Sequence, residues 1–509
     1  MNYKEASAAS EPCAAGVTED YLHRPQVVFP NKRPARVSEA TNLTQYSCPL
    51  RCVPKAASLS ISRRLAINPR EVPNVRPHQR EAVAALVDVA AESFLSGCVV
   101  LPCGSGKTLV GVLAAATMRR RTLVVCATLE QVEQWRRQLL QWTLLTAELV
   151  YRCGAAVQRD AAELEGAAVV LTTYHWLSSS QEAVGTNACE RRAVLAMTYG
   201  LLLLDEVHKL PAAVYRHLPH RVSSSWRVGL TADLSREAEE EHVILSSVGP
   251  VRARASVCRL VLLRVIARVD VIQVVVPLAR GFSCVLQHTP GRPDLHRLLL
   301  TLNPYKFCYL RSLIQLVERR KRQKLLVMFE ELLHLQVFAM ASRRLWACGG
   351  DGRRELVVQN FQHSATPQTL LVSRISDTGL DVPDLSYCLQ LGSLGGSRQQ
   401  EVQRVGRVQR YKPDGRGSEF HTVVTAWPSW PELEYSRHRN AHLRQQGYQL
   451  RYVQARTVLR PISARQNSLL VKFGHALGRK LSSEPKATVN EWILKVYPPI
   501  LRALPHQEL

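Results

Sequence analysis

At 509 residues the chain has room for two or three domains, and an apolar share of 46% is that of globular domains with real cores. Sixty-six Lys and Arg against 42 Asp and Glu leave a net charge of +24, which points to a polyanionic partner. Thirteen cysteines occur without a CxxC pair, and Cys48 and Cys52 have no matching second pair; this argues against a zinc module and fits a reducing compartment. No apolar run approaches a membrane span, and the N-terminus Met-Asn-Tyr-Lys-Glu-Ala-Ser lacks a signal-peptide core, so no membrane partner is expected.

Residues 1–68 carry Pro, Ser, Ala and scattered charge with little periodicity, and read as a flexible N-terminal extension. Val75-Arg76-Pro77-His78-Gln79 opens the first ordered unit, with Pro77 suited to the first turn of a helix. Val99 to Leu101 reads as a buried strand and Leu109 to Met118 as a helix, with a glycine turn between. Further strands are predicted at 121–127, 167–172, 201–204 and 226–230, separated by helical segments such as 129–142. Buried strands alternating with helices imply a parallel sheet covered on both faces. Residues 251–300 are less regular, with a strand-like run from Val269 to Pro277. A second α/β set follows, with strands at 324–329, 369–373, 387–391 and 420–425. Residues 456–509 form a basic C-terminal tail, with nine Lys or Arg against three acids. The expected domains are therefore 69–250, a connecting region 251–300, and 301–455, flanked by the extension and the tail.

Three stretches carry chemistry. Cys103-Gly104-Ser105-Gly106-Lys107-Thr108 between strand and helix is a P-loop, although Leu101 stands where the strict pattern has a small residue. Glycines let backbone N–H groups close around phosphate oxygens, Lys107 reaches the β- and γ-phosphates, and the Thr108 hydroxyl is placed for Mg²⁺. Asp205-Glu206-Val207-His208 follows four leucines, 97 residues after Thr108. A lone Asp-Glu is most often a solvated loop. At the C-terminal end of a strand in such a sheet, Asp205 holds the metal and Glu206 polarises the attacking water, with His208 sensing the nucleotide. Third, Gln403-Arg404-Val405-Gly406-Arg407-Val408-Gln409-Arg410 repeats arginine every third residue, which a helix would set along one side. Phosphoryl transfer needs cations over the γ-phosphate, and the P-loop supplies one lysine.

Together these motifs resemble superfamily two helicases. Leu101 to Thr108, Asp205-Glu206-Val207-His208-Lys209-Leu210-Pro211-Ala212, Asn303-Pro304-Tyr305-Lys306-Phe307 and Gly395-Gly396-Ser397-Arg398-Gln399-Gln400-Glu401 look like the XPB family, over about residues 70–455. XPB is the double-stranded-DNA translocase of the transcription and repair factor TFIIH. The resemblance implies two tandem RecA-like domains with a thumb-like insertion near 279–297. It further implies ATP and Mg²⁺, duplex DNA, TFIIH-like partner subunits, and a nuclear 3′–5′ helicase or translocase in nucleotide excision repair, with transcription initiation as the alternative setting.

Residue by residue, Arg76 and Gln79 match the adenine-reading motif, and Pro102, Cys103, Gly104, Ser105, Gly106, Lys107 and Thr108 the nucleotide-binding loop. Lys107, Asp205, Glu206, Arg407 and Arg410 match catalytic positions, Thr108 and Asp205 metal positions, and Gln403 the nucleotide side of motif six. Thr128, Thr173, His208, Thr231, Arg236, Glu237 and Thr378 match positions that touch DNA or couple it to hydrolysis, and Asp377 and Asp381 match motif five. Two departures fall in coupling motifs. Ala238 ends an Arg-Glu-Asp triplet, and Thr231-Ala232-Asp233 stands for Thr-Ala-Thr. They bear on strand separation more than on hydrolysis. With the short N-terminal part, they suggest a shortened paralogue that hydrolyses slowly without a partner. Two other classes stay open, a DEAH-type RNA-dependent ATPase and a nucleotide-binding structural subunit of a repair complex.

Overall fold

The computed structural model describes residues 65–66, 74–88, 93–154, 161–179, 186–234, 238–349, 352–373, 382, 384–392, 398–428, 431–454 and 459–505. A short antiparallel pair, β1 (Val87–Asp88) and β2 (Ser93–Phe94), precedes the first sheet. That sheet contains β3 (Gly97–Val100), β4 (Thr122–Cys126), β5 (Val150–Arg152), β6 (Val169–Thr173), β7 (Tyr199–Asp205), β8 (Ser224–Thr231) and β9 (Val251–Arg254), in the order β5-β6-β4-β7-β8-β3-β9. The second sheet contains β10 (Val269–Pro277), β11 (Leu325–Phe329), β12 (Leu345–Ala347), β13 (Thr369–Val372), β14 (Tyr387–Leu391), β15 (Ser418–Ala426) and β16 (Gln449–Gln454), in the order β12-β13-β11-β14-β15-β10-β16. Among the described residues every pairing in both sheets is parallel. This is the pair of RecA-like α/β domains that the sequence implied.

The reason for the strand chemistry is visible in the register. Leu201, Leu202 and Leu203 of β7 lie opposite Thr122, Leu123 and Val124 on one side and Trp226, Arg227 and Val228 on the other. Leu201 to Leu204 are all fully buried. A strand covered by helices on both faces needs apolar residues at consecutive positions, not alternating ones.

Helices that matter for the site are α1 (Pro77–Ala84), α2 (Lys107–Met118) and α3 (Leu129–Trp142) in the first domain. In the second they are α4 (Arg280–Gln287), α5 (Pro293–Thr301), α6 (Pro304–Ile314), α7 (Leu332–Ser342), α8 (Arg398–Gly406), α9 (Glu432–Gln445), α10 (Ala464–Ser483) and α11 (Lys486–Arg502). One apolar cluster runs from Val99, Leu203 and Val228 of the first sheet through Val265, Ile266 and Val405 to Val271, Met328 and Phe420 of the second.

Four features differ from the sequence reading. The second domain starts at β10, not at residue 301: Val269–Pro277 lies between β15 and β16, with Val269 opposite Ser418. Its partners are far downstream, so chain order conceals its place. Residues 279–297, read as thumb-like, form α4 and α5 and pack against α10: Asn467 accepts the Gly281 N–H at 2.9 Å, and Phe282 stacks on Phe473. The tail from 456 is not loose. Leu470, Phe473 and Leu477 of α10 and Val489, Ile493 and Tyr497 of α11 are buried in the second domain's core. Its cations Arg465, Lys472, Arg479, Lys486 and Lys495 occupy the exposed sides of the same helices, the two-faced pattern of an amphipathic helix. Order also begins before residue 69. Leu65 is buried, and the Leu144 N–H donates to the Ala66 carbonyl at 3.1 Å. The remainder of the N-terminal extension lies outside the described residues.

Candidate active site

The P-loop turns because two glycines take left-handed backbone angles, φ +76° at Gly104 and +85° at Gly106. A side chain at either position would be strained. At Gly106 a Cβ would also overlap the Gln79 amide. Ser105 Oγ donates to the Pro102 carbonyl at 2.6 Å, closing the turn from below. From above, Gln79 Nε2 donates to the Ser105 carbonyl at 3.0 Å and His78 Nε2 lies 2.9 Å from the same oxygen. Helix α1 thus braces the loop. Gln79 and Arg76 were singled out in the sequence. His78 was not, and only its neighbour relation to Gln79 hinted at it. Arg76 reaches further: its guanidinium donates to the Val265 carbonyl at 2.9 Å, on the segment that joins the two sheets.

β7 delivers the carboxylates. Trp135 Nε1–H donates to Asp205 Oδ2 at 2.8 Å, and Asp205 Oδ1 accepts the Glu206 N–H at 3.0 Å. Trp135 reaches that far because position 111 of α2 is glycine; a Cβ there would overlap the indole. Glu206 sits at φ +52° without being glycine, a backbone costing about 1–2 kcal/mol. That turn aims its side chain away from the strand: Oε2 lies 3.3 Å from His208 Nδ1, which in turn is 3.0 Å from Thr231 Oγ1.

Charges in this corner are strongly coupled. Burial, then the Glu206 charge, pushes the Asp205 carboxyl above the usual carboxylate range. Burial also opposes ionisation of Glu206, but Lys107 and then His208 outweigh it and hold Glu206 low. For Lys107, burial works against the ammonium, while Cys103, Glu206 and Asp205 outweigh it and keep it charged. Two carboxylates crowded at a strand end beside one lysine are a donor set that a divalent cation fits, since the cation relieves their repulsion. Asp205 and the Thr108 hydroxyl are the residues here that would hold Mg²⁺. Among the described residues no cluster of three His, Cys, Asp or Glu marks a second metal site.

The second domain closes the cavity. An ideal Cβ on Gly406 would overlap the Cys103 side chain, so α8 ends against the P-loop itself. Beyond it the chain leaves the helix, and this corrects the sequence reading. Arg404, Arg407 and Arg410 do not lie along one helical side. Helix α8 stops at Gly406; Arg404 is buried with Glu330 3.6 Å away. Arg407 lies in the following turn, and Arg410 pairs with Ile266 in an isolated bridge. The resulting cavity, about 710 Å³, is lined by Arg76, Gln79, Cys103 to Thr108, Asp205, Glu206, Gln403, Arg407 and Arg410. Gln131, Gln134, Gln138 and Gln141 of α3 line it too. Their 3-4-3 spacing marks one helix face. That signal was present in the sequence and was passed over.

Thr128 and Thr173 stand at the C-terminal edge of adjacent strands, just past β4 and at the end of β6. Each caps a helix, Thr128 Oγ1 accepting the Gln131 N–H at 3.3 Å and Thr173 Oγ1 the Trp176 N–H at 3.2 Å. Each hydroxyl keeps its own proton to donate. Arg236, Glu237 and Thr378 lie outside the described residues, as do Asp377 and Asp381. No described helix is long and apolar enough to cross a membrane.

Residues 262–472 match the family described as ERCC3/RAD25/XPB C-terminal helicase, and residues 73–236 match that of the type III restriction enzyme res subunit. The chain is 31% identical over 385 residues to the general transcription and DNA repair factor IIH helicase/translocase subunit XPB of Drosophila melanogaster, covering 74% of this chain and 47% of the relative. It is 32% identical over 402 residues to the XPB subunit of Antonospora locustae, covering 77% and 57%. The chain thus spans about half the length of the curated relatives it matches. Among solved structures, Mss116p bound to ssRNA and AMP-PNP superposes with a TM-score of 0.51 at 12% identity, covering 85% of each chain, which bears on the fold alone. With the ERCC3/RAD25/XPB model over residues 262–472 and XPB relatives 31–32% identical over 385 to 402 residues, the two-domain body of this chain belongs to the ERCC3/RAD25/XPB helicase family.

Proposed function

We propose that this chain is an ATP-dependent double-stranded-DNA translocase and 3′–5′ helicase of the XPB type. It would open DNA in nucleotide excision repair, and in transcription initiation where it joins the basal machinery. The observation that carries the reading is the composite cavity: phosphate cradle, carboxylate pair and two arginines, drawn from two domains, line one space. Lys107 and the turn at Gly104 and Gly106 hold the phosphates. Glu206, ionised and aimed by His208, orients and polarises the attacking water. Arg407 and Arg410 meet the charge that develops on the transferred group. Mg²⁺, when bound at Asp205 and Thr108, neutralises phosphate charge. Because Arg407 and Arg410 come from the second domain, the site is complete only when the domains close, which ties hydrolysis to relative motion.

DNA would run over the C-terminal edges of the sheets, where Thr128 and Thr173 offer hydroxyl donors to the backbone. The +24 charge supports binding with little sequence preference. TFIIH-like repair subunits are the expected partners and the nucleus the expected place. The test is ATP turnover by the purified protein with duplex DNA or with RNA of equal length. Stimulation by duplex DNA alone supports the reading. Stimulation by RNA alone would make it an RNA-dependent ATPase, and turnover absent in both would leave a nucleotide-binding subunit.

A further inference from the structure

Asp233, the departure from Thr-Ala-Thr, sits where the two domains meet. Just past β8 its side chain is buried, with Oδ2 2.7 Å from His442 Nε2 and Oδ1 accepting the Gln446 amide at 3.1 Å. Both partners lie at the end of α9 in the second domain. A threonine hydroxyl is one short group; a carboxylate reaches further and offers two acceptors.

Each side of this contact is firmly tied to catalysis. On the first domain, Thr231 Oγ1 donates to the Asp233 carbonyl at 2.6 Å and stands 3.0 Å from His208, which faces Glu206. On the second, the start of α9 is fixed by a fully buried pair, Lys306 donating to both Glu432 oxygens at 2.8 and 3.0 Å. Midway, buried Arg439 lies 3.7 Å from Glu401 of α8, and Asn440 donates to Gln273 of β10. The turn that follows helix α8 carries Arg407, and Arg410 comes three residues later in its bridge to Ile266. One helix therefore touches Asp233 at its end and, at its middle, the helix whose following turn carries Arg407.

We propose that Asp233, His442 and Gln446 form a latch that sets the second domain in register on the first, so that Glu206 and the two arginines reach the nucleotide together. They are positioning residues for hydrolysis. In this chain the replacement of threonine by aspartate strengthens the link between the domains, contrary to what the motif's departure alone suggested. The proposal rests on the ATPase reading above for its consequence, and on geometry alone for the contact.

A double-mutant cycle in the full chain tests it, with ATP turnover in the presence of duplex DNA. Asp233→Ala and His442→Ala are each expected to lower kcat about tenfold with KM for ATP within about twofold, and the double variant to fall no further than either single one. His442→Gln, which keeps a polar group within reach of the carboxylate, is expected to recover most of the loss. A kcat within about twofold of wild type in either folded single variant, or a double variant equal to the product of the singles, would overturn the latch. Hydrogen exchange reads the contact without turnover. Asp233→Ala is expected to speed exchange of the amides at 442–448 as well as at 231–233. Unchanged exchange at 442–448 overturns the latch whatever the chain hydrolyses. Accelerated exchange in a chain that hydrolyses no ATP upholds the latch and removes the ATPase reading instead.

Discussion

The two sheets repeat one strand order, β5-β6-β4-β7-β8-β3-β9 in the first and β12-β13-β11-β14-β15-β10-β16 in the second, yet they treat the same positions differently. After β3 comes the glycine turn of the P-loop; after its counterpart β10 come Leu278 and Ala279 and then α4, which packs under α10. At the end of β7 stand Asp205 and Glu206; at the end of the matching β14 stand Leu391 and Gly392. The second sheet reaches the cavity instead through the turn after α8. A shared scaffold thus places loops at equivalent edges, and the residues in those loops differ, a glycine cradle with a carboxylate pair in one copy and arginines in the other.

That asymmetry gives predictions that break or sharpen it, beginning with the largest. Glu206→Gln removes from the first-domain copy the group proposed to polarise water. Turnover should drop about 10²- to 10⁴-fold while ATP binding persists; steady-state rates and nucleotide titration check both halves. In the other copy, Lys306→Met leaves Glu432 buried and unpaired. Removing one partner of a buried pair costs about 3–5 kcal/mol, so the unfolding transition of the second domain should move markedly down in a thermal melt. The first-domain transition should stay in place.

A smaller effect is expected from Trp135→Phe. It removes the N–H that holds Asp205 Oδ2, together with the outer indole carbons that lie against Gly111. Loss of such an orienting donor typically costs about tenfold or more in metal affinity or activity. The Mg²⁺ concentration for half-maximal turnover should rise, with little change in KM for ATP at saturating metal. If the metal requirement is unmoved, the indole serves packing only.

Much of this was legible in the sequence, for physical reasons that also mark where reading stopped. Leu201 to Leu204 followed by Asp205 can be read because a doubly covered strand must be apolar throughout and its end faces the ligand. Gly104 and Gly106 can be read because only glycine takes those angles freely. β10 was legible as a strand but not as a member of the second sheet, since strand order within a sheet is set by partners distant in the chain. The arginine repeat misled, because recurrence every third residue says nothing of where a helix stops, and α8 stops at Gly406. The His442 contact to Asp233 was out of reach: Asp233 stands out only as a departure from Thr-Ala-Thr, His442 lies in no pattern, and their meeting depends on how one domain seats on the other.

The central claim is that one catalytic centre is built from both copies. Arg410→Ala tests it most directly, because that residue belongs to the second domain and lines the cavity of the first. We predict that kcat for ATP in the presence of duplex DNA falls about 10³-fold or more, as for a missing arginine finger, while ATP affinity changes by no more than about twofold. Unchanged kcat with lost ATP binding would make Arg410 a ground-state contact and contradict the account.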